Sequence, residues 1–177
     1  FGLDGGAMFG IVPKPLWEKT NPADKANRIK LSTRHLILES NSKKIIIDTG
    51  MGNKWDEKTK NIYAVDEQYS MNAALAQIGL KSEDITDVIL THLHFDHCGG
   101  SIKYNEDQTG YELVFPNARY WVSRDQYEWA VNPNHRESAS FLKENIFPIE
   151  ESGQLRLIEE EGEILPNISV RIYNGHT

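Results

Sequence analysis

The stretch DVILTHLHFDHCGG, residues 87–100, decides how the rest of the chain is interpreted. It begins with the apolar run 88–90, which is typical of a buried strand, and it turns polar where such a strand would leave the edge of a sheet. Three of the six histidines of the chain lie in this polar part. Its potential metal ligands are His92, His94, Asp96 and His97. Imidazole and carboxylate groups at this density favour a site for a divalent metal.

The spacing inside this cluster favours a catalytic metal over a structural one. Alternate side chains of an extended segment share a face, so His92 and His94 are expected to bind one ion together, with Asp96 on the same side. His97 needs a turn of the backbone, which the following glycine pair makes easier. Structural zinc sites usually recruit thiolates, whereas the single cysteine here, Cys98, is interpreted as a small buried neighbour. Water held by a catalytic zinc has a pKa of roughly 7.

Two more candidates follow apolar strands elsewhere in the chain. Asp48 opens the segment DTGMG, residues 48–52. It is either a turn residue that accepts backbone N–H bonds or a buried carboxylate that holds a ligand histidine by its second nitrogen. Both roles are favoured over direct ligation. His176 follows a predicted strand and is the candidate third ligand, whereas His35 falls inside a predicted strand and is interpreted as an ordinary strand histidine.

Length and charge narrow the class of protein. A chain of 177 residues predicts a single domain. The formal net charge of −7 argues against nucleic acid as the main partner. No apolar run approaches the roughly 18 residues that read as a membrane span. A single cysteine excludes an internal disulfide and suits a cytoplasmic location, while an exported form stays open because the chain begins with Phe1 and not with Met.

The N-terminal region is rich in glycine and proline. Residues 1–15 predict a structured loop or an irregular hairpin. Its apolar tip contains Met8 and Phe9, which either belong to an arm against the core or line a substrate pocket. The patterns that follow predict a strand over residues 29–39, a hairpin turn at Asn41 and Ser42, and a second strand over residues 43–47.

The remaining elements are predicted from caps and periodicity. Ser70 and Ser123 are expected to cap two helices. The predicted helices run to about residue 78, over 124–131 and over 137–145, and the predicted strands lie at 111–115, 118–122, 155–158 and 168–173. The acidic run 159–163 predicts a solvated turn.

Three motifs together resemble a known family. The hexad HLHFDH at residues 92–97, DTG at 48–50 and GHT at 175–177 are similar to the motifs of the metallo-β-lactamase-fold superfamily. The HxHxDH form resembles its hydrolases more than its diiron flavoproteins. The wording LDGGAMFGIVPKPLW and THLHFDHCGG looks most like the N-acyl-homoserine-lactonase-like, quorum-quenching branch. The resemblance implies an α/β (α+β) fold, an αββα sandwich of which this chain holds the N-terminal portion.

The resemblance also implies a site and a reaction. His92, His94 and His176 would hold one metal, and Asp96 and His97 would help to hold a second. The cofactor would be zinc, with two ions in the complete protein and manganese or iron as alternatives. A metal-bound hydroxide would open a lactone or ester, and Asp96 would protonate the leaving alkoxide. Family members continue beyond GHT and supply a bridging Asp and a final His, so the single domain over residues 1–177 is expected to be incomplete at its C-terminal end.

Other functions stay open at this point. A glyoxalase II-like thioester hydrolase uses the same ligands, and a non-catalytic module could retain the fold to bind a partner. A nuclease of the same superfamily is disfavoured by the net charge of −7. The expected partner is a small-molecule substrate, without nucleic acid or membrane, and a homodimer is left open.

Overall fold

The computed structural model describes residues 1–40 and 42–177, and it divides the chain into two compact units. The first contains Phe1–Ser32 and Trp55–Tyr69, and the second contains Thr33–Lys54 and Ser70–Thr177. Within the described ranges, no helix is both long and apolar enough to cross a bilayer. The single, C-terminally incomplete domain expected over residues 1–177 stays a prediction.

Short helices and strands alternate along the chain. The helices are α1 (Gly5–Phe9), α2 (Lys14–Trp17), α3 (Glu57–Tyr63), α4 (Met71–Gln77), α5 (Phe95–Cys98), α6 (Arg124–Val131) and α7 (Lys143–Glu151). The strands are β1 (Gly2–Asp4), β2 (Arg28–Lys30), β3 (Leu36–Ser40), β4 (Lys43–Ile47), β5 (Asp87–Ile89), β6 (Ile102–Tyr104), β7 (Tyr111–Leu113), β8 (Arg119–Ser123), β9 (Leu155–Ile158), β10 (Gly162–Leu165) and β11 (Ile168–Val170). Short 3-10 turns lie at Ser82–Asp84, Gly99–Ser101 and Ser138–Ser140.

The first unit is built around the buried indole of Trp17. Gly5 lies so close to this ring that an added Cβ would come within 2.4 Å of it, and Phe9 stacks on it with ring centroids 5.0 Å apart. The Asp4 carboxylate caps α1 by accepting a backbone N–H of the first turn at 2.8 Å. The loop or hairpin predicted for residues 1–15 is therefore wrong, because capping and contact with the indole stabilise short helices in this glycine-rich segment.

The second unit is organised by a five-stranded sheet with the order β3-β4-β5-β8-β9. β3 and β4 are antiparallel, and the remaining neighbours run parallel. β5 is the central strand, and all three of its residues are buried. A parallel strand covered on both faces appears in sequence as a continuous apolar run, so the strand predicted near residues 88–90 is confirmed. Polar side chains after such a strand collect at the carboxyl edge of the sheet.

Each face of this sheet has its own apolar cluster. Ile46 and Val88 pack in one cluster with residues of α4, α6 and α7. Ile45 and Ile89 lie on the opposite face and contact Leu165 of β10, which forms an antiparallel hairpin with β11. Each such side chain contributes roughly 1.5–3 kcal/mol on burial, so packing on both faces holds β5 in place.

The strand predicted over residues 29–39 is wrong, because it is two strands. Ile29 pairs with Leu3 in the first unit, whereas Leu36 pairs with Ile47 in the second. Period-two alternation shows which side chains share a face and does not identify the pairing partner. One alternating segment can therefore serve two sheets.

Two residues near β3, His35 and Ser42, were also assigned a structure from the sequence. His35 precedes β3 and lies outside any assigned strand, so its prediction as a strand histidine is wrong. Of the predicted hairpin turn, Ser42 lies in a turn before β4, and Asn41 lies outside the described residues.

The predicted caps are confirmed, and one helix is displaced. The Ser70 and Ser123 hydroxyls each accept a backbone N–H of the following helix at 3.2 Å. The helix predicted over residues 137–145 is wrong, since α7 runs over Lys143–Glu151 with Pro148 inside it. An interior proline costs about 3 kcal/mol. Burial of Ile146 and Ile149 offsets that cost at roughly 1.5–3 kcal/mol each.

The C-terminal acidic run is only partly a turn. β10 begins at Gly162, inside the predicted turn 159–163, and β11 ends at Val170, before the predicted end at residue 173. The acidic residues of the run stay exposed, as predicted, while Ile164 and Leu165 of β10 pack against the sheet and hold the hairpin there. β4, β7, β8 and β9 confirm the other predicted strands with small shifts of their ends.

Candidate metal centre

Two parallel strands end side by side at the candidate site. β4 ends at Ile47 and β5 at Ile89, and the Asp48 N–H donates to the Ile89 carbonyl at 2.9 Å. The carboxyl ends of parallel strands meet at one edge of a sheet. The segments that follow them, residues 48–52 and 91–98, are therefore brought together.

The two segments cross at backbone contact distance. A Cβ added to Gly100 would lie 2.0 Å from the Thr49 carbonyl oxygen, and one added to Gly99 would lie 2.4 Å from the Met51 carbonyl oxygen. Gly99 has an ordinary helical φ of −59°, so the absence of a side chain matters here more than backbone freedom. The Thr49 N–H donates to the His97 carbonyl at 2.7 Å, and the crossing therefore places His97 beside Asp48.

Three histidines converge at this edge of the sheet. One ligand atom from each of His92, His94 and His176 lies within 4.8 Å of the other two. The ring centroid of His92 is 4.7 Å from that of His94, and both rings are 5.0 Å from that of His176. The structure thus groups the three residues expected to hold one metal, and their role as ligands stays a prediction.

The imidazole nitrogens of this group fit a metal ion. The Nε2 atoms of His92 and His94 are buried and have no hydrogen-bond partner among the described residues. A buried polar atom without a partner is costly, and in native proteins such atoms usually serve an ion, a water or a catalytic step. Three imidazoles are also a common donor set for a catalytic zinc.

The protonation states agree with this fit. Burial, followed by the neighbouring imidazoles of His97, His94 and His176, lowers the pKa of His92 to about 3. Burial and the nearby His176 also lower the pKa of His94. Neutral imidazole is the form that binds a metal, so at neutral pH no proton has to leave these two rings.

Asp48 is bonded to the fourth histidine of the cluster. Its Oδ2 lies 2.8 Å from His97 Nδ1, and its Oδ1 accepts the Thr91 N–H at 2.8 Å. Burial opposes both pKa shifts, but the hydrogen bond between the two side chains prevails, lowering the pKa of Asp48 and raising that of His97. The contact matches the predicted arrangement of a carboxylate that holds a histidine by one nitrogen, and its role toward a metal stays a prediction.

Asp96 reaches the site from a helix, contrary to the expected geometry. His94 is the N-cap of α5, so the extended alternation ends there and Asp96 lies in the first helical turn. Its Oδ2 is 3.8 Å from His97 Nε2, and its side chain is 25% exposed. The prediction that Asp96 shares the strand face of His92 is wrong. The helix begins at Phe95, so the alternation of an extended segment no longer applies at residue 96.

Cys98 lies behind the site as a buried thiol. Its Sγ donates to the Leu93 carbonyl at 3.3 Å, and burial raises its pKa to about 12. A thiol that stays protonated is a poor metal ligand. The interpretation of Cys98 as a small buried neighbour therefore agrees with its surroundings.

His35 is closer to the site than the sequence suggested. Its ring lies against Gly50, where an added Cβ would come within 3.0 Å of the His35 Cε1 atom. Burial is the largest cause that lowers its pKa. The ring therefore supports the turn that contains Asp48. The sequence carries no signal for this contact, because it needs the tertiary fold.

Two further polar side chains near the site were not anticipated. The Lys54 ammonium donates to the Gly99 and Ile102 carbonyls at 2.6 and 2.7 Å, and burial lowers its pKa to about 8. The Gln126 amide is buried and bonds to Leu93, between the first two histidines. Both contacts join residues more than thirty positions apart, which no local pattern predicts.

The two residues expected to line a substrate pocket belong to the first unit. Met8 is 47% exposed, and Phe9 stacks on Trp17. Their role in substrate binding stays a prediction.

Comparisons with known proteins identify the family of the chain. Residues 35–177 match the model of the metallo-beta-lactamase superfamily. The chain belongs to the metallo-beta-lactamase superfamily. The α/β fold that the motifs implied is confirmed by this match and by the mixed sheets and helices of the structure.

The chain matches only part of the length of its curated relatives. An N-acyl homoserine lactonase of Bacillus cereus is 27% identical over 162 residues, which is 85% of this chain and 57% of that protein. A second N-acyl homoserine lactonase, from Bacillus sp, is 28% identical over 151 residues, covering 80% of this chain and 53% of that protein. The chain thus spans about half the length of these curated relatives.

Solved structures show the same likeness. A probable metal-dependent hydrolase from Staphylococcus aureus superposes with a TM-score of 0.83 at 36% identity, covering 95% of this chain and 58% of that one. An N-acyl homoserine lactone hydrolase with N-hexanoyl-L-homoserine bound at its catalytic metal center gives a TM-score of 0.53 at 26% identity, covering 75% of this chain and 50% of that one. The resemblance to lactonase-like members is therefore confirmed as a relationship.

Proposed function

We propose that the full-length protein is a metal-dependent hydrolase that opens lactone or ester bonds, with N-acyl homoserine lactones as the first candidates. The observation that carries the proposal is the convergence of His92, His94 and His176, two of which have buried, unpartnered Nε2 atoms. The lactonase relatives support the choice of substrate class.

Each residue of the site has a distinct role in this proposal. His92, His94 and His176 hold one divalent metal, zinc in the first instance and manganese or iron as alternatives. Asp96 and His97 contribute to a second ion, and Asp48 orients the His97 ring through Nδ1. When bound, the metals supply ionised water at neutral pH and positive charge for the developing oxyanion.

Asp96 is the proposed general acid. Its carboxyl group lies at the first turn of α5, 3.8 Å from His97 Nε2, and it is 25% exposed, so a substrate can reach it. A carboxylate at this position can take up the proton that the attacking water releases and pass it to the leaving alkoxide as the lactone ring opens. Asp96→Asn keeps the size of the side chain but can neither take up nor donate that proton.

The test measures turnover by the full-length protein loaded with zinc, manganese or iron. Hydrolysis of N-hexanoyl homoserine lactone is followed beside an aryl ester and a glutathione thioester. We expect lactone opening, a loss in His94→Ala, and a decrease in kcat of about 100-fold or more in Asp96→Asn. His135→Ala is the matched control, because His135 is an exposed histidine outside the cluster.

Three outcomes would overturn the proposal in different ways. If the loaded protein leaves lactones and esters untouched, it is not a lactonase or esterase. Preferred turnover of the thioester would indicate a glyoxalase II-like enzyme. Fewer than one tightly bound ion per full-length chain would favour a non-catalytic partner-binding module.

We also propose a small-molecule substrate as the partner. The net charge of −7 does not favour a phosphate backbone. The expected cytoplasmic location and the homodimer stay predictions, which cell fractionation and light scattering on the full-length protein would check.

A further inference from the structure

One buried amide side chain touches both segments that carry the three histidines. Gln126 lies in the first turn of α6 and is 7% exposed. Its Oε1 accepts the backbone N–H of Leu93 at 3.0 Å, and its Nε2 donates to the Thr177 hydroxyl at 2.9 Å. Leu93 separates His92 from His94, and Thr177 follows His176.

An amide suits this position because it both accepts and donates hydrogen bonds. The Leu93 N–H needs an acceptor, since a buried backbone donor without a partner costs about 1–3 kcal/mol. The second contact needs a group that can pair with a hydroxyl, and the amide nitrogen provides it. An apolar side chain of similar size would satisfy neither partner.

The helix that presents the amide is itself well anchored. α6 follows β8 directly, and β8 pairs in parallel with the central strand β5. The Ser123 hydroxyl accepts the Gln126 N–H at 3.2 Å, and Ala130 of the same helix is buried in the main apolar cluster. The amide therefore projects from a fixed support, whereas the two segments it joins are loops.

We propose that Gln126 is a positioning residue that sets the spacing between the His92–His94 pair and His176, and thereby the metal affinity of the three-histidine group. This inference rests on the proposed function only in assuming that the group binds a metal. It adds a residue outside the ligand set, on which the geometry of the ligands depends. Outer partners of metal ligands typically change metal affinity by about 10–100-fold.

The test measures metal binding by the full-length protein without substrate. Zn²⁺ affinity is determined by competition with a chelator, and the visible absorption spectrum of bound Co²⁺ reports the ligand geometry. We expect Gln126→Leu to lower Zn²⁺ affinity by about 10–100-fold and to alter the Co²⁺ spectrum. Gln126→Glu retains the acceptor for Leu93 and can accept from the Thr177 hydroxyl, so it is expected to keep most of the affinity.

The second partner provides an independent test of the same bridge. Thr177→Val removes the hydroxyl with little change in shape, and Thr177→Ser restores it. We expect Thr177→Val to weaken Zn²⁺ binding and Thr177→Ser to stay near the parent. The loss in the double variant Gln126→Leu/Thr177→Val should be smaller than the two single losses combined, because one contact is shared.

Gln154→Leu is the matched control. The Gln154 amide also donates to a distant backbone, the Pro116 carbonyl at 2.7 Å, but it lies outside the histidine segments. We expect parent-like metal affinity in this variant. Urea unfolding of each metal-free variant separates a general loss of stability from a specific loss of metal binding.

The outcomes distinguish this inference from the proposed function. Parent-like Zn²⁺ affinity and Co²⁺ spectra in folded Gln126→Leu, or in Thr177→Val should Gln126→Leu not fold, would overturn the positioning role alone. A parent that binds zinc tightly but opens no lactone would overturn the proposed function alone. A parent that binds no metal would overturn both.

Discussion

The buried polar groups at the two ends of β5 differ in their hydrogen bonding: those at one end have partners, and those at the other do not. At its N-terminal end, the Asp87 carboxylate is fully buried, and both of its oxygens accept hydrogen bonds. Its Oδ1 accepts from Arg119 and Trp121 at 2.9 Å each, and its Oδ2 accepts from Lys43 at 3.0 Å and from Thr86 at 2.8 Å. We call this group the carboxylate end of the strand.

At the C-terminal end, buried nitrogens are left without partners. His92 and His94 present Nε2 atoms that no described residue contacts by a hydrogen bond, and His176 completes the group. We call these three residues the histidine end. A satisfied cluster contributes to stability, whereas a buried nitrogen without a partner costs stability unless a ligand binds it. The comparison thus contrasts a polar site whose bonds are made within the protein with the site that we propose for the metal.

The largest expected effect is at the histidine end. His94→Ala removes one of three ligands, and we expect Zn²⁺ affinity to fall by roughly 1,000-fold, beyond the 10–100-fold typical of an outer partner. Metal-free stability should change little, because the lost packing of the ring against Phe141 is offset by removal of a buried nitrogen that has no hydrogen-bond partner. Chelator competition and urea unfolding in EDTA measure the two quantities. Tight zinc binding by the variant would remove the histidine end from the metal site.

The sequence predicts the histidine end much better than the carboxylate end. Two of its three residues, His92 and His94, stand with Asp96 and His97 within six residues after an apolar strand, so their chemistry is visible locally, whereas His176 was identified only by the predicted strand before it. The charged partners of Asp87 lie far along the chain, with Lys43 44 positions away and Arg119 32 positions away. A network assembled by neighbouring strands leaves no local pattern.

The same reasoning explains the errors in the fold. The caps Ser70 and Ser123 act within one helical turn, and both are confirmed. The break between β2 and β3 depends on which strand each half pairs with, and the start of α7 depends on burial of Ile146 and Ile149. Pairing and burial are tertiary properties, and sequence alone underdetermines them.

A smaller effect is expected at the carboxylate end. Asp87→Asn removes the charge that Lys43 and Arg119 share, and breaking a buried ion pair costs about 3–5 kcal/mol. The two cations are 30% and 39% exposed, so we expect a loss near the lower limit, about 3 kcal/mol in the free energy of unfolding. Urea unfolding measures the loss, and Zn²⁺ affinity should remain that of the parent.

A surface pair provides the control for that variant. Glu39 lies 3.9 Å from Lys44 and is 63% exposed, so Glu39→Gln should change stability by less than about 1 kcal/mol. Equal losses in Asp87→Asn and Glu39→Gln would mean that the carboxylate end contributes no more than a solvated pair. A large loss of zinc affinity in Asp87→Asn would mean that the two ends of the strand are coupled.

A further expected effect is a difference between the two ends of β5 in how they make the stability of the metal-free protein depend on pH. Burial lowers the folded pKa of His92 to about 3, below the roughly 6.5 of an unfolded histidine. A depressed pKa means that the stability from this group is present above about pH 6.5 and is lost as the pH falls, because the unfolded chain takes up the proton first. His94 shifts in the same direction.

Asp87 also loses its contribution to stability as the pH falls, but in a lower pH range. Burial opposes the shift, but bonds from Trp121, Lys43 and Thr86 together with Arg119 lower its pKa, so its stability is lost only as the pH falls below about 4. The pKa of His97 is raised, so its contribution to stability is fully present, and constant, below about pH 6.5. It therefore masks neither the loss from His92 and His94 nor the loss from Asp87.

Urea unfolding in EDTA at pH 7, 5.5, 4.5 and 3.5 would separate the two ends. Between pH 6.5 and 4.5, unfolding should take up as much as about one proton for His92, with further uptake by His94 and by His35, whose pKa values burial also lowers. His92→Leu should reduce that slope, and Asp87→Asn should leave it unchanged while reducing the loss below pH 4. If the slope above pH 4.5 instead disappears in Asp87→Asn, the acid sensitivity comes from the carboxylate end. The unpartnered nitrogens would then be accessible to protons in the folded protein, and their fit to a metal would lose its electrostatic basis.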